Sequence, residues 1–527
     1  MSKITPAKKF AYHALLLIAV NLLMRTIGVS FNVYLSNRAG GEVMGLYALL
    51  TGVYGFAMTL GCGGINLGTT RLIADILGKH STRGVLSDEG KICLRQCMRR
   101  CIGYSLCLGS LAGVLLFVFA PLIGGQGLGD ERTILPLRVL ALTLPPIAMA
   151  SCLGGYFTAM RHVVPHAVVG IATQLFRMAG CTYLLTLWLS HGVEATCLAL
   201  VLGGALSEFL GLALTYIAYR YDRRPLRTTN QPHGSTAITK QLLGITLPVT
   251  LSACIRSGLV TLQHMLIPKG LRASGADWSK ALSSYGILCS MVLPVVLFPS
   301  AFISSFSGLL VPEIAESKAR GDMTRVARIS ARIITPALCF SFGVAGIMSC
   351  FAYELGEVLY HSREAGMYIR QLAPLIPIMY VDSSVDAVLK GMGEQVYSMN
   401  VNIADALISV IMVWTLIPSM GLGGYILTIY VTETLNTTLS IFRMLKISGM
   451  KVQLYKQVIG PLLCVIGATW SVKLCHTYLH FPAIQSGLAL AVVIGLSGCV
   501  YLGLLVVLRV FGREEWQVFK SIVPERG

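Results

Sequence analysis

The stretch AYHALLLIAVNLLMRTIGVSFNVYL, residues 11–35, decides the fold: its 25 residues carry one permanent charge, Arg25. At about 1.5 Å per residue a helix of that length reaches about 37 Å, enough to cross a hydrocarbon core of about 30 Å. Lys3, Lys8 and Lys9 ahead of it resemble the basic start of a secretory signal. The apolar run is too long for one and no small-residue cleavage site follows, so it reads as a retained first helix.

Working outward, the pattern recurs. Apolar runs of crossing length lie near 11–35, 44–67, 101–123, 134–160, 163–189, 193–219, 241–267, 282–311, 327–355, 367–389, 397–418, 421–442, 453–475 and 483–508. Of 527 residues 54% are hydrophobic and 13% charged, a composition too apolar for solution. About 285 apolar residues are what fourteen spans of about 20 residues need. The longest polar interval, residues 220–240, is too short to build its own core, which excludes a catalytic domain outside the bilayer.

The formal net charge of +18 is spread over short basic clusters between apolar runs rather than along one polar face, so topology explains it and nucleic acid is not an expected partner. With the amino terminus inside and residues near span ends counted with the nearer side, 30 of the 42 Lys and Arg residues fall on the cytoplasmic side and 9 outside, while Arg25, Arg177 and Arg256 lie deep within spans. That asymmetry fits the positive-inside rule and sets both termini in the cytoplasm. The sequence shows no phosphate-cradling glycine loop ending in Lys-Ser/Thr, no HExxH and no paired acids in a polar loop, so an enzyme or an ATP-driven pump is not expected. The 15 cysteines lack metal-ligand spacing and read as small reduced core residues.

The 220–240 segment resembles a linker and divides two six-span halves, 1–219 and 241–450, leaving 451–527 for two extra helices and a cytoplasmic tail. The halves open alike: Arg25-Thr-Ile-Gly28 in span 1 against Arg256-Ser-Gly258 in span 7, each followed by a tyrosine-bearing helix, Tyr47 and Tyr285. The expectation is an all-α integral membrane protein of about fourteen transmembrane helices, with two six-helix lobes around a central cavity.

Arg25 and Arg256 sit near mid-span, where an arginine costs about 2.5–3.5 kcal/mol on insertion scales. One reading is that both face a watery cavity and grip phosphate with paired hydrogen bonds. The other is a structural contact with a buried carboxylate or helix-end carbonyls. Arg177 has the same two readings, its structural one being a pair with Glu208. Asp382 and Asp386 of span 10, Asn402 and Asp405 of span 11, and Thr428, Thr432 and Glu433 of span 12 gather oxygen ligands in one half. Such oxygens suit sodium, and a lone carboxylate of raised pKa suits a proton. Lys390, four residues past Asp386, offers the plainer account of that acid as a solvated ion pair. Pro145, Pro146, Pro248, Pro294, Pro299, Pro374 and Pro377 break or bend spans; such breaks mark the bundle interior more than the lipid face, and ordinary kinking for packing accounts for most of them.

Taken in order, Arg25-Thr-Ile-Gly28 through Gly45-Leu-Tyr47, Leu247-Pro-Val-Thr250 through Ser284-Tyr-Gly286, Leu310-Val-Pro-Glu313-Ile-Ala-Glu316, and Leu372-Ala-Pro-Leu-Ile-Pro377 through Lys390-Gly-Met-Gly393 resemble the multidrug/oligosaccharidyl-lipid/polysaccharide flippase superfamily. The likeness covers nearly the whole chain and is nearest to the polysaccharide-biosynthesis branch, which includes sporulation proteins. It implies a flippase of the bacterial plasma membrane that carries polyprenyl-pyrophosphate-linked sugars from the inner to the outer leaflet for cell-wall or spore-cortex synthesis. Cell-wall synthesis enzymes are the implied partners. Arg25 and Arg256 would meet the pyrophosphate with Arg177 in support, and Asn402, Asp405 and Thr432 would couple sodium or protons. Span 7 has no acidic residue, a departure from the sodium-site pattern of the lipid II flippases. A cation-coupled multidrug exporter of the same superfamily is the alternative, although spans 1–6 offer Arg25 and Arg177 against the single acid Glu208.

Overall fold

The computed structural model describes residues 6–82, 85–160, 162–222, 236–478, 487–508 and 510. Most of the expected linker, 223–235, and nearly all of the tail lie outside them. The chain is almost wholly helical. Helix α1 (Pro6–Cys62) breaks at Gly40, whose φ of 81° and ψ of 169° only glycine adopts freely. Helix α2 (Ile65–His80) leads to a small antiparallel hairpin, β1 (Ser81–Thr82) and β2 (Val85–Leu86), with Ser81 opposite Leu86. There follow α3 (Asp88–Pro121), α4 (Ile134–Ala159), α5 (Val163–Trp188), α6 (Val193–Asp222), α7 (Thr236–Ala273) and α8 (Trp278–Gly286). The rest are α9 (Leu293–Leu297), α10 (Ser300–Ala319), α11 (Met323–Cys350), α12 (Ala352–Tyr360), α13 (Arg363–Leu372), α14 (Ile376–Gly391), α15 (Gln395–Met420), α16 (Leu422–Ser448), α17 (Gly460–Tyr478) and α18 (Gly487–Val507).

Side-chain caps start several of these helices. Ser87 accepts from Gly90 N at 3.1 Å, Asp322 from Arg325 N at 2.9 Å and Ser362 from Ala365 N at 3.2 Å. Each expected span falls mainly on helix in its described part. Among the described residues eleven helical stretches are long and apolar enough to cross a membrane, the first running through the Gly40 break from Leu22 to His80. The protein is therefore a multi-pass membrane protein.

Two compact units form: Met1–Arg38 with Ile287–Gly527, and Ala39–Gly286. They divide the chain differently from the expected halves, because α7 and α8 fold with the helices of the second unit. The physical cause is a seam of small residues. A Cβ on Gly45 would strike the Leu282 carbonyl oxygen, and one on Gly286 the carbonyl of Gly41, so main chains touch directly there. Farther along, Thr261 Oγ1 donates to Gly52 O at 2.9 Å and Thr250 Oγ1 to Gly63 O at 2.6 Å. The apolar core of this unit lies among α2, α3 and α4, around Ile73, Leu94, Met98, Leu153, Tyr156 and Phe157.

In the first unit the core joins α10, α11, α14 and α16 through Ile314, Val326, Ile333, Val385, Leu389 and Met444. Helices α17 and α18 pack on α11, where Tyr501 lies over Gly343 and donates its hydroxyl to Cys339 O at 2.6 Å.

The seam predicts a sharp contrast between two glycines of the same helix. Gly45→Val should destabilise the protein by about 1–3 kcal/mol through overpacking. Gly55→Ala, with no atom within 4 Å of the new Cβ, should be neutral or stabilising. Thermal unfolding of the purified protein in detergent measures both.

Candidate functional site

In the first unit the site is built around a helix that does not run straight. Residues Ile287–Val292 form a π-helical segment, α9 follows, and the chain turns at Phe298 and Pro299 before α10. Pro294 has no N–H for the carbonyl four residues earlier, Ser290 O, and Asn32 Nδ2 donates to that oxygen at 2.5 Å. At the turn the backbone bonds tighten to three-residue spacing, with Phe298 N on Val295 O and Ala301 N on Phe298 O. Side chains donate to carbonyls on either side of this irregular stretch. Tyr360 donates to Met291 O at 2.9 Å, Tyr380 to Val296 O at 2.5 Å, and Leu297 O accepts from both Ser300 Oγ at 2.6 Å and Arg25 Nη2 at 3.2 Å.

Arg25 is therefore an exposed guanidinium anchored to a helix-end carbonyl, the structural contact weighed from sequence, with donors left over for another acceptor. Arg256 lies in the second unit, on α7. It is exposed, and among the described residues nothing hydrogen-bonds or ion-pairs with it. The two arginines that look alike in sequence are held differently. Arg177 is half-buried on α5 and donates to the Tyr47 hydroxyl at 3.0 Å. Among the described residues it makes no ion pair with Glu208, although that carboxylate acts on it through its charge.

On α15, Asn402 Nδ2 donates to Ser398 O at 2.7 Å, and the Ser398 hydroxyl donates to Asp386. Asp386 is also paired with Lys390 Nζ at 2.6 Å, the ion pair that the four-residue spacing suggested. Asp405 stands one turn beyond Asn402 and is half-buried. Thr432, buried on the neighbouring α16, gives its hydroxyl to Thr428 O of its own helix at 2.9 Å. The structure thus links Asn402 to Asp386 through Ser398 and leaves Thr432 turned into α16.

Sequence reasoning missed two groups. Nothing in the sequence singles out Asn32, Tyr360 or Tyr380; the five-residue spacing of Pro294 and Pro299 is the available signal that partners are needed. The other group lies at one end of the second unit. Arg132 donates to Asp130 through Nε at 2.9 Å and Nη2 at 2.6 Å, and to Glu42 Oε1 through Nη1 at 3.1 Å. Trp278 Nε1 donates to Asp130 Oδ2 at 3.0 Å, and Ser279 Oγ to Glu42 Oε2 at 2.8 Å. Burial pushes the Asp130 carboxyl up, but the hydrogen bonds from Arg132 and Trp278, with the Arg132 charge, outweigh it and hold the group below its ordinary value.

Comparison with known proteins adds three findings. The family profile described as polysaccharide biosynthesis protein matches residues 11–318, more than half of the chain. The stage V sporulation protein B of Bacillus subtilis (strain 168) is 25% identical over 513 residues, covering 96% of each chain, and the lipid II flippase MurJ of the same organism is 20% identical over 443 residues, covering 77% of this chain and 79% of that one. Among solved structures, the lipid II flippase MurJ in an inward closed conformation matches with a TM-score of 0.69 at 12% identity, covering 94% of this chain and 99% of that one. An inward-facing multidrug resistance MATE family transporter of the MOP superfamily matches at 0.60 and 16% identity, covering 81% of this chain and 96% of that one.

Two predictions follow the geometry. Tyr380→Phe leaves the Val296 carbonyl without its donor in a buried place and should cost about 1–3 kcal/mol, whereas Tyr430→Phe, whose partner Gln371 O is solvent-accessible, should cost far less. Unfolding of both variants in the same detergent decides it. Because Asp130 titrates lower when folded than when unfolded, its stabilising share is full above the unfolded pKa and is lost as pH falls through the folded one. Melting curves from pH 7 down to pH 3 should show a drop that Asp130→Asn removes.

Proposed function

The chain belongs to the polysaccharide biosynthesis protein family, and we propose that it is an alternating-access flippase for polyprenyl-pyrophosphate-linked sugars. It makes and breaks no covalent bond. The lipid enters from the inner leaflet, its pyrophosphate meets Arg25 and Arg256 with Arg177 of α5 in support, and the headgroup is released to the outer leaflet while the tail stays in lipid. The halves 1–219 and 241–450 are the bodies that rock, with both termini in the cytoplasm, as the distribution of lysine and arginine supports. Spore cortex or cell-wall precursors are the cargo suggested by the sporulation and lipid II relatives.

The observation that carries this reading is the state of the two span arginines: Arg25 spends one donor on a single carbonyl, and among the described residues Arg256 spends none. A guanidinium kept in an apolar span without a carboxylate has donors to offer an anionic ligand, which supports this reading. Rocking needs a bias between states, and the membrane potential supplies about 2.3 kcal/mol per charge per 100 mV. Asn402, Asp405 and Thr432 are the candidates for sodium or proton coupling, Asn402 being linked to Asp386 through Ser398. The likeness to MATE transporters supports a multidrug exporter through fold alone.

The test is translocation of an undecaprenyl-pyrophosphate-linked sugar in proteoliposomes. Arg25→Ala and Arg256→Ala, each folded by size-exclusion and melting criteria, should lower the rate about tenfold or more, the loss of a charge-assisted contact. Full activity of both variants would refute the arginine mechanism, and export of cationic dyes without movement of the lipid would favour the multidrug reading.

A further inference from the structure

Three connections meet at one end of the second unit: residues 39–42 after the break in α1, residues 122–133 between α3 and α4, and residues 274–279 between α7 and α8. Each contains a glycine at positive φ, Gly40 at 81°, Gly129 at 74° and Gly275 at 97°, a backbone freedom suited to hinging. Arg132 stands at the centre. It binds Asp130 on its own connection and Glu42 on the first, and those two carboxylates in turn accept from Trp278 and Ser279 on the third. Lys269 reinforces the junction by donating to Gln126 O at 2.9 Å.

Two features set this junction apart from ordinary loop packing. Glu42, Asp130 and Arg132 come from the first half of the sequence, Trp278 and Ser279 from the second. Behind the junction, these halves meet along a seam that includes glycines, serines and threonines, and only toward the start of α7 do Ile238 and Leu242 join the apolar core of α2, α3 and α4; Thr59 Oγ1 on Ser257 Oγ at 3.3 Å continues the run of Thr261 and Thr250 contacts. The ion pairs and hydrogen bonds of the junction tie the two halves together at the end of this seam, so they are well placed to decide whether that end stays shut.

We propose that Glu42, Asp130, Arg132, Trp278 and Ser279 form a releasable clasp that closes this end of the second unit and must open once in each transport cycle. The clasp rests on the alternating-access reading above. Arg132 is its hub, serving two carboxylates at once. Ser279 and Trp278 are the links most easily given up, since each is a single hydrogen bond to a carboxylate that keeps its arginine.

Hydrogen–deuterium exchange by mass spectrometry tests it on the full chain in proteoliposomes, comparing wild type with S279A, W278F and E42Q. Ser279→Ala removes one hydrogen bond and leaves the ion pairs intact, so the test stands even if Arg132→Ala does not fold. With no lipid-linked sugar added, S279A should speed exchange of the 122–133 and 274–281 amides together by about tenfold, the size of one hydrogen bond to a charged acceptor, while α11 stays unchanged. Its initial rate of undecaprenyl-pyrophosphate-sugar translocation should differ from wild type by about twofold or more, as a shifted closed-to-open balance requires. Faster exchange confined to the mutated segment, or equal translocation rates beside faster exchange in both segments, would overturn the clasp. If wild type moves no lipid-linked sugar, the substrate reading fails on its own, and coupled or uncoupled exchange of the two segments alone decides the clasp.

Discussion

A carbonyl oxygen that loses its backbone partner inside an apolar environment has to find another donor, and in this protein that rule organises the first unit. Pro294 and Pro299 make the span through α9 and α10 unable to satisfy itself. The donors that complete it come from Asn32 and Arg25 on α1, Tyr360 on α12 and Tyr380 on α14. Three helices far apart in the chain are thereby pinned to one irregular stretch. The direction in which Arg25 points is a by-product of this pinning, since its guanidinium is tethered to the carbonyl that ends α9.

The second unit meets the same rule by other means. Its spans are mostly continuous, and their close approach depends on residues too small to intervene. Hydroxyls of Thr261 and Thr250 reach across to glycine carbonyls, Gly52 within α1 and Gly63 in the turn before α2. One unit is thus held by obligation and the other by proximity. The α17 and α18 pair follows the second pattern on a smaller scale, with the Tyr501 hydroxyl on the Cys339 carbonyl within α11.

Much of this architecture was legible in the sequence because hydropathy and helix length are local quantities. The span at 11–35, the mid-span arginines and the Asp386 and Lys390 pair all depend on residues within a few turns of each other. What escaped depends on tertiary meeting. No periodicity announces that Arg25 will settle on Leu297 O, or that Arg177 will choose the Tyr47 hydroxyl over Glu208. Glu42, Asp130 and Trp278 looked like loop residues because their neighbours in space are far away in the chain. The grouping of α7 and α8 with the preceding helices escaped too, since glycine contributes almost nothing to a hydropathy count and the whole seam is written in it. Asn402 and Thr432 show the middle case: their helices could be read, but not that one would join a hydroxyl relay and the other turn to its own backbone.

The direct meeting of main chains at Gly45 with Leu282 and at Gly41 with Gly286 has an evolutionary meaning. Peptide groups are common to every residue, so an alignment secured by them places few demands on neighbouring side chains beyond leaving the gap open. Lineages can then rewrite most of their letters while inheriting the same geometry.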